Sequence, residues 1–495
     1  MNLARALAKS VKRHPDKTAL FWGGSKFSYA DLWSQSLWVA DQLRSEFGVR
    51  AGDRVGLWLK NCPEFVPALF GALQTGAVVV PINNFLKPPE VSFILADAEI
   101  DVIILDETMR EGFEKLRTGR PGLRALRVED FASLAAPAKA GQECRGSESD
   151  LAVIIYTSGT TGHPKGAMLS HGNLLANVES CRRVLEAVGE DRIVVLLPMF
   201  HSFMLTVGVL LPLLIGGSIV LIKTLHPPKN VVAEIVQHRA TLLPAVPQFF
   251  RALTHGSVPL DLPLRLCISG AAPLPAEILK EFTARFPIPL LEGYGLSEAS
   301  PVVSFNPIHG PWKAGSIGVP ISGVEVSVQN DSGEILGANA TGEICVRGGN
   351  VMLGYWKQPG ETANTMRQGW LLTGDIGHVD ADGYFYITDR KKDMLLVNGI
   401  NVYPRQIEEV LYSFPGVKEA AVIGVPDERR GEQPLAFVAA HDGIELEEGL
   451  MLQFARKQLA DYKVPRHIVF LPALPRNATG KILKTELRKA AAAPS

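Results

Sequence analysis

The chain has 495 residues, 50 of them Lys or Arg and 51 Asp or Glu, for a formal charge of −1. That balance disfavours a partner bound by phosphate neutralisation, so no nucleic acid is expected. Apolar residues make up 46% and charged residues 20%, with mean hydropathy +0.12, which supplies a large core, excludes wholesale disorder and, at this length, calls for at least two domains.

Residues 1–17 lack the continuous apolar core of a secretory signal. Leu3, Leu7 and Val11 recur at helical spacing and predict a first helix docked on its own domain, with peripheral membrane contact as the alternative. Strand-like runs then alternate with helical patterns: DRVGLWL, a helix around PEFVPALFGALQTG, AVVVPIN, DVIILD, LAVIIYTS, IVVLLP and SIVLIK. Such alternation predicts layered α/β architecture with largely buried sheets. Residues 135–150 are small and polar and read as a surface connection. The five cysteines are scattered with no C-x-x-C, so neither a disulfide framework nor a zinc site is expected, and a cytoplasmic location is.

Residues 204–222 carry no charge and approach the length of a membrane span. Pro212 and the pair Gly216-Gly217 break the run, which predicts helix, turn and strand inside a core. From 316 to 388 short strands and turn signals predict a β-rich section. The cluster DRKKD at 389–393 separates it from a final α/β unit of about a hundred residues. The expected division is therefore a large section over 1–388, a connecting hinge over 389–393 and a small section over 394–495, ending in a frayed AAAAPS.

The strongest local signal is YTSGTTGHPKG at 156–166. A buried strand enters a loop whose glycines bring backbone N–H groups close to an anion, whose hydroxyls (Thr157, Ser158, Thr160, Thr161) add donors and whose Lys165 adds charge. It is not a Walker A loop, because Gly159 plus four residues leads to Pro164. In LEGYGLSE, Gly293 and Gly295 free the backbone around Tyr294, whose ring offers a flat face for a purine. Glu298 is a hard oxygen donor suited to Mg²⁺ on nucleotide phosphates. A core tyrosine and a helix-start carboxylate are the plainer alternatives. Asp375 can accept from both ribose hydroxyls, and Arg390 can reach ribose or phosphate as a fixed fork. Gly270 and Ala271 leave backbone room for an adenine.

Together with PMFHSF at 198–203, SGAAPLP at 269–275, WLLTGDIG at 370–377, TDRKKDMLLVNGINVYP at 388–404 and PRNATGKILK at 475–484, these segments resemble the adenylate-forming superfamily of acyl-CoA synthetases, peptide-synthetase adenylation domains and beetle luciferases. The matches run in family order from about residue 15 to 488, and the DRKKD and NGINVYP forms look most like fatty acyl-CoA synthetases. The resemblance implies a large AMP-binding domain and a small mobile C-terminal α+β domain, with ATP, Mg²⁺ and coenzyme A as reaction partners. It assigns nucleotide contacts to Thr157, Ser158, Gly159, Thr160, Thr161, Gly162, Lys165, Gly270, Ala271, Ala272, Glu292, Gly293, Tyr294, Gly295, Ser297, Asp375, Arg390 and Lys481. Thr161 and Glu298 are the implied Mg²⁺ ligands, and Lys481, Lys165, Thr161 and Glu298 the implied catalytic groups. Lys392 is the implied hinge and Gly399 lies on the implied thiol channel.

His201 is expected to line the acyl site and not to act as a base, since a carboxylate is already ionised at neutral pH. The expected acyl pocket is His201, Ser202, Phe203, Met204, Val207, Gly208, Val246 and Val302, with Met204, Val207 and Gly208 suggesting room. No Arg or Lys in 201–210, 244–250 or 300–305 could read a second carboxylate, so a medium- or long-chain fatty acid is the expected substrate. An aromatic or other small acid and a carrier-protein acceptor are the alternatives, and the chain is a monomer or homodimer.

Overall fold

The computed structural model describes residues 1–133, 146–157, 164–225, 229–256, 258–397, 400–427, 431–477 and 480–492. Among these, strands form sheets of nine, seven, five and five. In the seven-stranded sheet the spatial order is Gly354–Tyr355, Lys165–Ser170, Leu151–Thr157, Val78–Pro81, Arg54–Trp58, Val102–Leu105 and Arg124–Arg127. The nine-stranded sheet runs from Val319–Pro320 through Leu290–Gly295, Leu266–Ser269 and Leu242–Ala245 to Thr18–Trp22 and Ser25–Ser28. Parallel pairing dominates both interiors, which is why their strands read as unbroken apolar runs.

The first helix, Leu3–Arg13, starts with Asn2 accepting from the N–H of Arg5 and buries Leu3 and Leu7 completely against the protein. Ser10 Oγ donates to Leu214 O at 3.0 Å, so this helix docks on its own domain as expected. Helix Phe65–Thr75 is buried on every side and crosses helix Tyr29–Ser45 so closely that a Cβ at Gly71 would lie 2.6 Å from Val39 Cβ.

The apolar run 204–222 folds as helix, turn and strand within the core. A π-helical segment Met204–Leu210 continues into Leu211–Ile215, ends at Gly216 in the left-handed region (φ 83°) and returns as strand Ser218–Leu221. Among the described residues no helix is long and apolar enough to cross a membrane. One expectation fails here. Met204 and Val207 are buried, and a Cβ on Gly208 would fall 2.2 Å from Met204 Sδ and 2.9 Å from Val195 Cγ2. Gly208 is small so that the helix can lie on the strand beneath it, not to leave acyl room.

Strands Val324–Gln329, Gly342–Gly348, Met366–Arg367, Trp370–Val379 and Phe385–Arg390 make the expected β-rich sheet. The last sheet pairs Leu395–Val397, Ile400–Val402, Val417–Asp427, Gly431–Ala440 and Ile468–Phe470, flanked by helices Pro404–Tyr412, Glu448–Gln458 and Lys484–Ala492. That final helix takes in Ala490, Ala491 and Ala492, so half of the tail expected to fray is helical, because alanines extend a helix readily. Of the connection at 135–150, residues up to 145 lie outside the described residues, and 146–150 are exposed.

The apolar clusters divide by section. Those built before residue 388 contain nothing from after 394, and the two after 394 contain nothing from before it. Among the described residues, contacts between the sections include several hydrogen bonds. Arg251, on helix Pro247–His255, donates to the carbonyls of Lys418 at 2.5 Å and Val417 at 3.4 Å and to His441 Nε2. The Arg405 N–H donates to Asp389 Oδ2 at 2.8 Å.

If Gly208 serves packing, Gly208→Ala should lose about 1–3 kcal/mol of stability by overpacking a full core. Denaturant unfolding should show an earlier midpoint with an unchanged slope. An unaltered midpoint would mean that Met204 withdraws freely and that space exists there after all.

Candidate active site

Two neighbouring strands of the β-rich sheet set the site's first fixed point. Asp375 and Arg390 are register partners between Trp370–Val379 and Phe385–Arg390, so their side chains meet directly. Arg390 Nε donates to Asp375 Oδ1 at 2.6 Å while Tyr294 Oη donates to Asp375 Oδ2. The Asp375 side chain is 3% exposed, and its N–H donates to Thr373 Oγ1 at 3.0 Å. Its carboxylate raises the Arg390 guanidinium further, and burial followed by the same carboxylate lifts the Tyr294 phenol well above its usual range.

Tyr294 leaves strand Leu290–Gly295 where a hairpin turns tightly. A Cβ at Gly295 would lie 2.1 Å from Pro301 O, so glycine is required there, and one at Gly293 would meet Phe305 Cδ2 at 2.8 Å. Glu292 supports the neighbouring turn. Its buried carboxylate accepts from the Leu274 N–H at 3.0 Å and so holds the SGAAP turn, and burial pushes it up to about 7. In that turn Ala271 takes a left-handed backbone (φ 64°), and a Cβ on Gly270 would touch the Phe203 ring at 3.1 Å. Ala272 follows in the same turn. Ser297 shares a hydrogen bond with Ser202, Oγ to Oγ at 2.9 Å, which ties the PMFHSF segment to LEGYGLSE.

Glu298 accepts on Oε1 from Tyr355 Oη at 2.9 Å and from Thr157 Oγ1 at 3.4 Å. Lys165, at the start of strand Lys165–Ser170, is buried, and its ammonium is ion-paired with Glu361 and lies 5.4 Å from the centre of the Tyr355 ring. The lysine expected to add charge to the loop has a carboxylate partner. Ser158, Gly159, Thr160, Thr161 and Gly162 lie outside the described residues, as does Gly399. Lys392 sits in an exposed turn braced by the Lys391 N–H on Gly374 O at 2.8 Å and the Asp393 N–H on Arg390 O at 2.9 Å.

Lys481 arrives from the other section. Its hairpin is closed by the Asn477 N–H on Lys481 O at 2.9 Å and braced by Arg476 on Glu419, also 2.9 Å. At the tip, Gly480 (φ 82°) reaches Val246, with 3.7 Å between its Cβ position and Val246 Cγ2. Lys481 keeps solvent-accessible surface on an open cleft, yet atoms of both sections surround it. Desolvation first, then Arg390 and Lys392, push its ammonium down to about 8, against Asp375 and Asp393, which favour the charge. His201 faces the same cleft. Burial, then the Lys481 charge, lower its imidazole to about 4, so it is neutral at pH 7, and its Nδ1 accepts from the Phe203 N–H at 3.3 Å. Val302 begins strand Val302–Phe305, with its carbonyl held by Asn177 Nδ2 at 2.7 Å.

The cleft thus gathers Lys481, His201, Val246, Asp375, Arg390 and Tyr294 from segments far apart in the chain. Sequence reasoning missed Tyr355, Glu361 and Arg251. GYWKQPGET offers a turn and a helix start with an acid in its first turn, but nothing local tells that Glu361 meets a lysine 196 residues away.

Comparison with known proteins agrees with this geometry. The family model described as AMP-binding enzyme matches residues 7–356, and that of the AMP-binding enzyme C-terminal domain matches 406–481. The long-chain-fatty-acid–CoA ligase of Bacillus subtilis (strain 168) is 36% identical, with 98% of this chain and 94% of that protein covered. Feruloyl-CoA synthase of an Amycolatopsis species is 38% identical, with 97% of each covered. ATP-bound MatB from Rhodopseudomonas palustris superposes with a TM-score of 0.92 at 33% identity over 99% of both chains, whereas its apo form gives 0.79. The chain belongs to the AMP-binding enzyme family, the adenylate-forming enzymes that its motifs resemble and among whose members the AMP-forming acyl-CoA ligases are its relatives.

Proposed function

We propose that the protein activates an apolar carboxylic acid, a medium- or long-chain fatty acid, as an acyl-adenylate and passes it to coenzyme A, within the AMP-forming acyl-CoA ligase activity that its relatives support. The substrate carboxylate attacks the α-phosphorus of ATP and pyrophosphate leaves. The CoA thiol then attacks the mixed anhydride and AMP leaves. One observation carries the reading: the Gly480 turn sets Lys481 beside Val246 of the other section, within electrostatic reach of the Asp375–Arg390 pair and of His201.

In this reading the Tyr294 ring faces the purine, with Gly270, Ala271 and Ala272 beside it, and the Asp375 carboxylate receives the ribose hydroxyls. Arg390 and Lys481 place positive charge where it builds on the α-phosphate. No base is needed for a carboxylate nucleophile, and a neutral His201 suits a wall of the acyl site. Mg²⁺, when bound, would neutralise phosphate charge. Glu298 and Thr161 would hold it, and a single carboxylate with phosphate and water oxygens is the donor set this ion favours. Lys392 serves as the hinge on which residues 394–495 turn against 1–388 between the two steps, and Gly399 then borders the thiol.

Arg251, the first cation after the 244–250 segment, is spent on the other section's carbonyls and not on the acyl site, which supports an acid with a single carboxylate. A flat aromatic acid is the second reading. The closed packing at Met204 and Gly208, with the Phe203 ring against Gly270, favours a shorter and flatter pocket than the sequence suggested.

Lys481→Ala should lose ~3–4 kcal/mol in adenylation while synthetic acyl-adenylate plus CoA still reacts at near wild-type rate. Equal losses in both steps would remove Lys481 from its assigned role. The value of kcat/KM reports the free enzyme, so for adenylation it should fall as pH rises through about 8, where Lys481 sheds its proton. Lys481→Arg, charged at every working pH, should erase that inflection.

Substrate choice is decided by thioester formation over saturated acids from acetate upward, with benzoate, ferulate and malonate included. At ~0.8 kcal/mol per buried methylene, kcat/KM should climb about fourfold per carbon until the pocket is full. A maximum at benzoate or ferulate would establish the aromatic reading, and one at acetate or malonate would defeat both.

A further inference from the structure

The segment after Asn350 is fastened to both halves of the phosphate site by its backbone. Tyr355 pairs with Ala167 beside Lys165, and the Trp356 N–H donates to Gly166 O at 2.8 Å. The Met352 N–H donates to Glu298 O at 2.8 Å, and the Tyr355 N–H to Thr362 Oγ1 at 2.9 Å. A segment held this way has little freedom, so its side chains are fixed relative to Lys165 on one side and Glu298 on the other.

Two of those side chains act on the charges of the site. The Tyr355 hydroxyl donates to Glu298 Oε1 at 2.9 Å, while the Lys165 ammonium lies 5.4 Å from the centre of its ring. Glu361, in the first turn of helix Pro359–Thr365, forms the ion pair with that ammonium. The Lys165 side chain is 9% exposed and that of Glu361 35%, so the pair is sheltered on the lysine's side and open on the glutamate's. Lys165 and Glu298 are thus opposite charges on either side of one phenol. If they collapsed onto each other, the site would lose its phosphate-binding cation and its metal-binding carboxylate together.

We propose that Glu361 is a positioning residue that holds the Lys165 ammonium on the ring of Tyr355, away from Glu298, and yields it to the polyphosphate of the incoming nucleotide. The inference rests on the nucleotide-binding reading above. An arriving phosphate must compete with the Glu361 carboxylate for the same ammonium, so the apparent affinity for ATP is reduced by the fraction of lysine held back. On the way out, Glu361 recaptures the ammonium and speeds the departure of pyrophosphate. The acyl-adenylate has only its α-phosphate, so the second step is indifferent to the exchange.

Glu361→Gln keeps shape and hydrogen-bonding capacity but removes the competing charge. The KM for ATP in adenylate formation should fall about three- to tenfold, the range for a partly sheltered charge pair. The inhibition constant of added pyrophosphate should fall in parallel. Glu361→Asp, which keeps the charge, should return both toward wild type. The KM for synthetic acyl-adenylate in thioester formation should not move, whereas a merely structural role would move it. In a Lys165→Met background, Glu361→Gln should change the ATP KM no further. A raised or unchanged ATP KM in Glu361→Gln, or the same shift without Lys165, overturns the proposal. Failure of the ligase reading is seen separately, as wild-type protein that forms no thioester with any acid. Calorimetric ATP binding by wild type and Glu361→Gln would then still decide the exchange.

Discussion

The pairing of Asp375 with Arg390 across adjacent strands is the point from which the site is measured. The register that sets them opposite each other is specified by the hydrophobic pattern of the two strands and the turn that joins them. Asp375 then orients the Tyr294 phenol, and Arg390 leads straight into the turn carrying Lys392. One carboxylate therefore fixes an aromatic face, a guanidinium and the start of the connection to the second section. If the register slipped by one residue, all three would move together.

Around that point the protein collects charges that would rather not share a cleft. Arg390 and Lys392 lower the Lys481 ammonium, and its charge in turn works against protonation of His201. A polyanion relieves this strain, since each phosphate oxygen replaces repulsion among cations by attraction to all of them. Lys165 is sheltered, so leaving it unpaired would be costly, and Glu361 supplies the partner. Arg390 likewise has a carboxylate partner in Asp375, so each of these two cations is matched by one acid.

Much of this was legible in the sequence. Buried parallel strands announce themselves as unbroken apolar runs, and Pro212 with Gly216-Gly217 correctly turned the 204–222 run from a membrane span into core. The motifs placed Tyr294, Asp375, Arg390 and Lys481 near one another without any structure. Gly208 was misread because a small residue has two opposite uses: it leaves space for a ligand or lets a neighbour fill that space, and a single sequence does not distinguish them. The hold of Glu292 on the SGAAP turn was not legible because its position in LEGYGLSE does not tell which way a buried carboxylate points. Glu361 and Arg251 were missed because pairings across sheets and sections leave no local pattern.

The hinge proposed above would act at a boundary that suits it for a thermodynamic reason. No apolar cluster of the described residues crosses it, so turning one section against the other exposes no shared core. What must break are hydrogen bonds such as those from Arg251 to the carbonyls of Val417 and Lys418. Water can replace each of them, which leaves a net cost of about 0.5–1.5 kcal/mol for a neutral bond and 1.5–3 for one from a charged group. His441 adds a restriction: a guanidinium only donates, so the ring nitrogen that meets Arg251 must be an unprotonated acceptor. The Arg251 charge also pushes the imidazole down, after the larger effect of desolvation, which keeps that nitrogen available. Contacts of this kind hold one orientation firmly enough to align Lys481 with the cleft.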